Sequence, residues 1–330
     1  SLNGLGAIAF RRGDLEKAAD HFRAAMDFRR EVGDREGVAN LLSNLGVIHD
    51  RHGEYEEALR TYRRAAEAHR AIGSRRGLAT VLNNMGVVNL TRGDVGLATE
   101  RFEEALRIRR ETGDRARIGN ALTNLAEARA LAGDVAAADA AYREAAELLR
   151  EVGEISAVAS ALTGRARLLR RRGELLEAER LLAEAASLPG RDPVVRAAFH
   201  LEAAEQHTVR GEGAAAGRAA ERGRVLAGEI GDRVAEAQAL RLLAGTGTEE
   251  PGEAVARLER AEELLEGTSG PELARVLLER GVLLADSDPR GSRETLMRAR
   301  GLLDAMEARG AVLPERECVE HLLVAEPGTD

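Results

Sequence analysis

The chain has one cysteine, Cys318, one lysine, Lys17, no tryptophan, and aromatics that make up only 2% of its 330 residues. A single cysteine excludes an intrachain disulfide and a cysteine-built zinc site, and it makes an intracellular, cytoplasmic setting the default expectation. A single lysine with no glycine-rich loop before it excludes a phosphate-binding P-loop and argues against Schiff-base chemistry. With so few aromatics, any core has to be assembled from alanine and leucine at regular spacing. No apolar run approaches the roughly 18–20 residues that cross a bilayer, and the first residues lack a charged-then-apolar leader. Charged residues reach 32%, with both signs interspersed and a net charge of -8. That is the composition of solvated helix faces, not the basic footprint of a nucleic-acid binder. Neither membrane nor nucleic acid is expected as a partner.

What the chain has in abundance is self-similarity. Gly-acid pairs recur at Gly13-Asp14, Gly53-Glu54, Gly93-Asp94, Gly133-Asp134 and Gly173-Glu174, and Gly211-Glu212 follows slightly early. A second series falls between them at Gly33-Asp34, Gly73-Ser74, Gly113-Asp114, Gly153-Glu154 and Gly231-Asp232. Each break has a mechanical meaning: glycine accepts the left-handed backbone that ends a helix, and an acid or serine after it caps the next helix. Between breaks the apolar residues keep helical period, as in Leu42, Leu45, Gly46 and His49, then Ala58, Tyr62 and Ala65. Small residues stand where two helices must approach, at Gly6, Gly46, Gly86, Ala126, Ala166 and Ala204 and again at Ala18, Ala58, Ala98, Ala138 and Ala178. Large fillers accompany them at Phe22, Tyr62, Phe102, Tyr142 and Leu182. Small-beside-large packing at fixed offsets is how stacked hairpins interlock.

Leu45-Gly46 followed by Ala58, Tyr62 and Ala65 resembles the tetratricopeptide repeat pattern, and the long period resembles the variety seen in kinesin light chains and many bacterial regulators. Two departures stand out. Leu42, Leu82, Leu122 and Leu162 replace the aromatic that often opens the family's first helix, and Gly33, Gly73, Gly113 and Gly153 replace its closing proline. The resemblance implies an all-α, right-handed superhelical solenoid of antiparallel helix hairpins, about eight repeats with a C-terminal capping helix. It predicts a regular array over 1–187, degenerate repeats over 188–312, and a capping helix with a frayed tail over 313–330. Within the degenerate part, helix pairs are expected at 192–229, 232–266 and 270–309, with a bend or mobile loop near 245–252.

In such a stack the first helix of each pair forms the concave inner wall. Its exposed stripe reads Asn40, Asn44, Val47 and Arg51, then Thr80, Asn84, Val87 and Thr91, then Asn120, Asn124, Glu127 and Leu131, then Ser160, Gly164, Arg167 and Arg171. An asparagine amide offers both donor and acceptor, matching the backbone of an extended peptide. Helices pack roughly 8–10 Å apart and an extended chain advances roughly 3.3 Å per residue, so one asparagine per repeat meets about every third residue. The family resemblance places peptide-holding asparagines at Asn44, Asn84 and Asn124. Asn40, Asn120, Arg51, Arg167 and Arg171 complete the candidate peptide-binding set, with an acidic peptide favoured near the last two. The competing reading is that the asparagines persist through repeat duplication or bond a neighbouring helix.

Catalytic chemistry is not visible. His49 and His52, and His200 and His207, lack a third metal ligand, and Arg170-Arg171-Arg172 ends a helix, where cations meet the dipole. No acid-base or nucleophilic constellation emerges, and no cofactor is expected. The sequence therefore predicts a non-enzymatic module that binds a protein or peptide. The alternative is the sensory half of a larger bacterial signalling ATPase or transcription regulator, a possibility prompted by the start at Ser1 inside a helical pattern. Self-association through the first hairpin is also open.

Overall fold

Glycine in the left-handed region ends the helices of the regular pairs, and Gly33 (φ 73°) and Gly53 (φ 77°) show the device. A side chain with a Cβ is strained there, so the break is written into the residue type. The acid that follows caps the next helix: Asp34 accepts from the Gly37 amide at 2.8 Å, and Asp14, Asp114, Asp134 and Asp232 each accept from the amide three residues on. No side-chain cap forms where glutamate or serine takes that position, at Glu54, Ser74 and Glu154, or at Asp94, whose carboxylate accepts from Arg309 instead.

The computed structural model describes residues 1–189, 192–247, 250–268 and 270–325. Among these residues the chain is all α and consists of hairpins. In the regular part they are α1 (Leu2–Arg11) with α2 (Leu15–Glu31), α3 (Arg35–Arg51) with α4 (Tyr55–Ala71), and α5 (Arg75–Thr91) with α6 (Val95–Thr112). They continue as α7 (Arg115–Leu131) with α8 (Val135–Glu151) and α9 (Ile155–Arg171) with α10 (Leu175–Ser187). Beyond these come α11 (Pro193–Val209) with α12 (Gly213–Ile230), α13 (Arg233–Ala244) with α14 (Pro251–Leu264), and α15 (Pro271–Leu284) with α16 (Pro289–Glu307). A last helix, α17 (Glu315–Ala325), packs on α16 and α15. Successive helices pack as antiparallel neighbours and successive hairpins stack, which makes the architecture an all-α repeat solenoid. From α11 onward, proline at the first helical position replaces the glycine-acid signal at α11, α14, α15 and α16, which suits the N-terminal turn. Of the bend expected near 245–252, residues 248 and 249 lie outside the described residues, as does the tail at 326–330.

The interlock of small and large residues sets the hairpin geometry. A Cβ built on Gly46 would come within 2.5 Å of the Tyr62 ring, and one on Gly86 equally close to the Phe102 ring. Gly6 stands in the same relation to Phe22. Tyr62 and Phe102 are almost wholly buried, each worth roughly 1.5–3 kcal/mol of transfer free energy. Tyr142 lies against Gly164 of α9, where an added Cβ would come within 2.6 Å.

The solenoid closes on itself. Loops after the inner helices α3, α5 and α7 meet the second half of the chain. Arg51 donates to the Ile230 carbonyl at 3.3 Å and Arg233 to the His52 carbonyl at 3.1 Å, across 179 and 181 residues. Arg309 reaches the Arg92 carbonyl at 3.2 Å and Asp94 Oδ1 at 2.8 Å. Its own carbonyl accepts from the Gly96 amide at 3.0 Å, and the Val312 amide donates to the Leu131 carbonyl at 2.6 Å. Apolar packing follows the same seam, since Val95 and Leu131 share one core cluster with Leu240, Leu258, Leu273 and Leu303. Two glycines permit the approach: Gly270 sits against the Thr91 carbonyl, and a Cβ on Gly53 would meet the Arg233 guanidinium at 2.5 Å.

Candidate ligand cavity

Closure turns the concave wall into a cavity of about 800 Å³. Its lining comes mainly from the first helices of the pairs, α5, α7, α9, α11, α13 and α15, with α17 at one end. The second helices contribute little besides Phe102, Val135 and Tyr142. That is the placement expected of hairpins whose first helix faces the axis.

The stripe read from the sequence enters this cavity in part. Val87 and Thr91, then Asn124, Glu127 and Leu131, then Gly164, Arg167 and Arg171 all line it. The leading position of each helix (Asn40, Thr80, Asn120, Ser160) lies off the cavity, as does the whole stripe of α3. Asn40 and Asn120 are exposed, and Asn44 is half-buried. Asn84 lies within hydrogen-bonding reach of the Tyr62 hydroxyl. The Asn124 amide donates to Asn83 Oδ1 at 3.1 Å, and that oxygen also accepts from Arg109 at 3.2 Å. Two of the three row asparagines are thus engaged within the fold, and Asn124 alone of the row faces the cavity. Arg51 sits in the seam on Ile230.

The wall carries a continuous network of ion pairs. Arg167 contacts Glu127 at 2.9 Å and Glu202 at 3.3 Å, and Arg170 contacts Glu202 at 2.6 Å and Glu205 at 3.6 Å. Arg241, nearly buried, is held by Glu205 at 2.5 Å and by Glu272 and Glu279 at 2.6 Å each. Arg275 completes the chain with Glu272 at 3.4 Å and Glu315 at 2.6 Å. The network spans six elements: α7, α9, α11, α13, α15 and α17. Burial works against the charge of Arg241, but Glu272, Glu279 and Glu205 more than offset it and hold its pKa well above the usual value. Burial likewise opposes ionisation of Glu205, yet Arg241 and Arg170 bring its carboxyl down to about 2. At Glu279 burial prevails and the carboxyl is raised.

The triple arginine that ends α9 divides its labour. All three line the cavity, but Arg170 is held by Glu202 at 2.6 Å and Arg172 by Glu174 at 2.9 Å, whereas Arg171 has no ion pair among the described residues. The sequence reading missed Arg241, Glu272, Arg275 and Glu279. A signal was present: Glu127, Arg167, Glu205, Arg241 and Glu279 alternate in sign, one per inner helix, and the contacts 127–167, 205–241 and 241–279 link residues 40, 36 and 38 apart.

His49 and His207 have carboxylate partners. His49 Nδ1 meets Glu54 Oε2 at 2.5 Å and His207 Nδ1 meets Glu212 Oε2 at 2.6 Å, each tying a helix end to the start of the next helix. Among the described residues there is no group of three His, Cys, Asp or Glu side chains that would hold a metal, and no helix long and apolar enough to cross a membrane.

A stack of hairpins around a lined axial cavity defines a helical-repeat interaction scaffold. The tetratricopeptide repeat profile matches residues 1–71, 53–111 and 77–151. Residues 1–151 are thus tetratricopeptide repeats, and the chain is a tetratricopeptide repeat protein. Among solved structures, the Rap conjugation gene regulator of plasmid pLS20, in complex with a Phr peptide, is similar with a TM-score of 0.69 and 16% identity, over 86% of this chain and 79% of that one. A Rap protein complexed with competence and sporulation factor matches with a TM-score of 0.65 and 12% identity, over 93% and 98% of the two chains. A tetratricopeptide repeat protein from Parabacteroides merdae gives 0.52 and 22% identity, over 84% and 97%. At these identities the likeness is one of fold. No curated protein matches the chain.

Proposed function

We propose that this chain is a non-catalytic module that binds a short peptide, or an extended segment of a partner protein, in its axial cavity. The observation that carries the reading is the cavity: about 800 Å³, in the upper part of the roughly 300–1,000 Å³ range of ligand sites, walled by first helices and lined with polar groups among apolar ones. Asn124 keeps its Oδ1 free of hydrogen bonds among the described residues while its amide is fixed by Asn83, so one backbone N–H of a peptide has a preset acceptor. The two Rap structures of the same fold were solved with a peptide and with competence and sporulation factor, which supports the same use of this solenoid. The test is retention of acetylated random pentapeptides by the full chain. The wild type retains peptides, and Gln238→Trp, which puts an indole into the cavity, abolishes retention. Equal retention by the two proteins would place the binding site elsewhere.

The seam favours a second, compatible reading, a regulatory domain whose shape reports occupancy. Residues from both halves of the chain enclose the cavity, so a ligand inside it favours the closed turn over any open one. A peptide that leaves the small-angle scattering profile and the hydrogen exchange of the Gly96 and Val312 amides unchanged would count against regulation.

A further inference from the structure

The arginines of the cavity wall are matched to carboxylates with one exception. Arg167, Arg170, Arg172, Arg241 and Arg275 each hold at least one carboxylate. Arg171 makes no ion pair and no hydrogen bond among the described residues, although it lines the cavity and is open to it. A guanidinium has five N–H donors in a planar fork, the shape that takes a carboxylate through two parallel hydrogen bonds.

We infer that Arg171 is an anion-recognition point of the axial cavity, and that the peptide held there presents a carboxylate to its guanidinium. The inference rests on the peptide-binding reading and names the chemistry of its ligand. Position at the C-terminus of α9 accounts for a positive charge there, but a helix end leaves the donors of the fork unused. The surroundings of Arg171 are themselves short of negative charge. Burial, then the like charges of Arg275 and Arg167, disfavour its charged form and bring its pKa down to about 10. Glu315 is the one carboxylate that counters them, and it is already committed to Arg275 at 2.6 Å. A bound carboxylate supplies the missing countercharge. Glu315 is also the internal rival, since its Oε2 is buried without a hydrogen bond. If Arg171 serves only Glu315, removing Arg171 leaves ligand choice untouched.

The experiment uses the full chain and acetylated random pentapeptides, half ending in a free carboxylate and half amidated, with retained peptides quantified by mass spectrometry. The wild type is expected to retain carboxylate-bearing peptides at least tenfold over amidated peptides lacking Asp and Glu. Enrichment of free-acid ends identifies the peptide terminus as the ligand group, and enrichment of amidated Asp- or Glu-containing peptides identifies a side chain. Arg171→Gln is expected to abolish the bias yet still retain peptides, with helical content unchanged because Arg171 makes no ion pair or hydrogen bond among the described residues. Arg171→Lys keeps the charge without the fork and is expected to retain a weaker bias; it carries the test if the glutamine variant does not fold. An unbiased wild type, or a bias that survives both substitutions, overturns the inference and leaves peptide binding standing. A wild type that retains no peptide overturns both.

Discussion

If the cavity exists because the solenoid closes, breaking one seam contact should loosen the whole turn. Arg309 is the sharpest place to test this. Its guanidinium reaches Asp94 Oδ1 at 2.8 Å and the Arg92 carbonyl at 3.2 Å, from 215 and 217 residues away. Asp94 has little other compensation: its side chain is 11% exposed, and Arg92 stands 4.0 Å off. A hydrogen bond to a charged group is worth about 1.5–3 kcal/mol, but the Arg309 side chain is 32% exposed, so solvent screening lowers the expected coupling to about 1–2 kcal/mol. The perturbation is a double-mutant cycle of Arg309→Ala and Asp94→Asn, read by urea unfolding with far-UV circular dichroism. Each single variant should lose stability, and the double variant should lose less than their sum by that coupling. About 1.4 kcal/mol corresponds to a tenfold change in an equilibrium constant, so the open form becomes roughly tenfold more populated. Because repeat arrays unfold region by region, small-angle scattering supplies the second readout, an increase in radius of gyration. Additivity within about 0.3 kcal/mol, with an unchanged radius, would refute closure through this contact.

Three further outcomes follow from named residues. Gly86→Ala forces a Cβ to 2.5 Å from the Phe102 ring, so about 1–3 kcal/mol of overpacking outweighs the gain in helix propensity, and the melting temperature falls. Phe102→Leu in the same chain restores part of the loss, and a stabilised Gly86→Ala variant would disprove the small-beside-large interlock. The same exchange at Gly301, an exposed position in α16 where an added Cβ meets nothing within 4 Å, should instead stabilise by about 0.5–1 kcal/mol. Asp50 lies near the seam, where burial and the charge of Asp232, only partly offset by Arg51, raise its carboxyl to about 6, with Tyr55 also within its field. A carboxyl raised on folding binds its proton more tightly in the native state, so its contribution makes the protein more stable as pH falls from about 7 toward 4. Asp50→Asn removes that slope and stabilises at pH 7 by up to about 3 kcal/mol; urea midpoints that run parallel with pH in the two proteins would contradict it.

How much of this was legible follows from the range of each interaction. Helix ends were legible because their determinants are local: Gly33 needs φ 73°, and Asp34 caps a helix three residues on. The weaker second half was still readable as hairpins at α11 to α16, while a further local signal, proline at the first helical turn of α11, α14, α15 and α16, went unused. The seam was not legible. Gly96 looks like any glycine in a first helical turn and Gly270 like any loop glycine until Arg309 and Thr91 are brought to them through half of the chain or more. For the same reason Arg51 read as a groove residue, because its spacing is that of the stripe while its partner, the Ile230 carbonyl, belongs to another hairpin. The asparagine row shows the limit differently: its period reports the repeat, but only the neighbouring Tyr62 and Asn83 reveal that Asn84 and Asn124 are partly spoken for.

The charged wall explains how a closed helical turn keeps an interior. Inner helices faced with leucine would draw together to ordinary packing distance and fill the axis, as the apolar clusters between successive pairs do. A row of alternating charge resists that collapse, because Glu127, Arg167, Glu205, Arg241 and Glu279, joined through Glu202 and Arg170, satisfy one another along the wall and would lose their solvation if the opposite walls met. Such a network costs stability relative to an apolar wall, and the closing contacts at Arg51, Arg233, Arg309 and Val312 work in the opposite direction. Replacing Arg241 together with all three of its carboxylates, Glu205, Glu272 and Glu279, by leucine and methionine should therefore raise thermal stability while eliminating ligand retention. A solenoid selected for rigidity alone has no use for that cluster. A solenoid that must keep a hydrated axial cavity does.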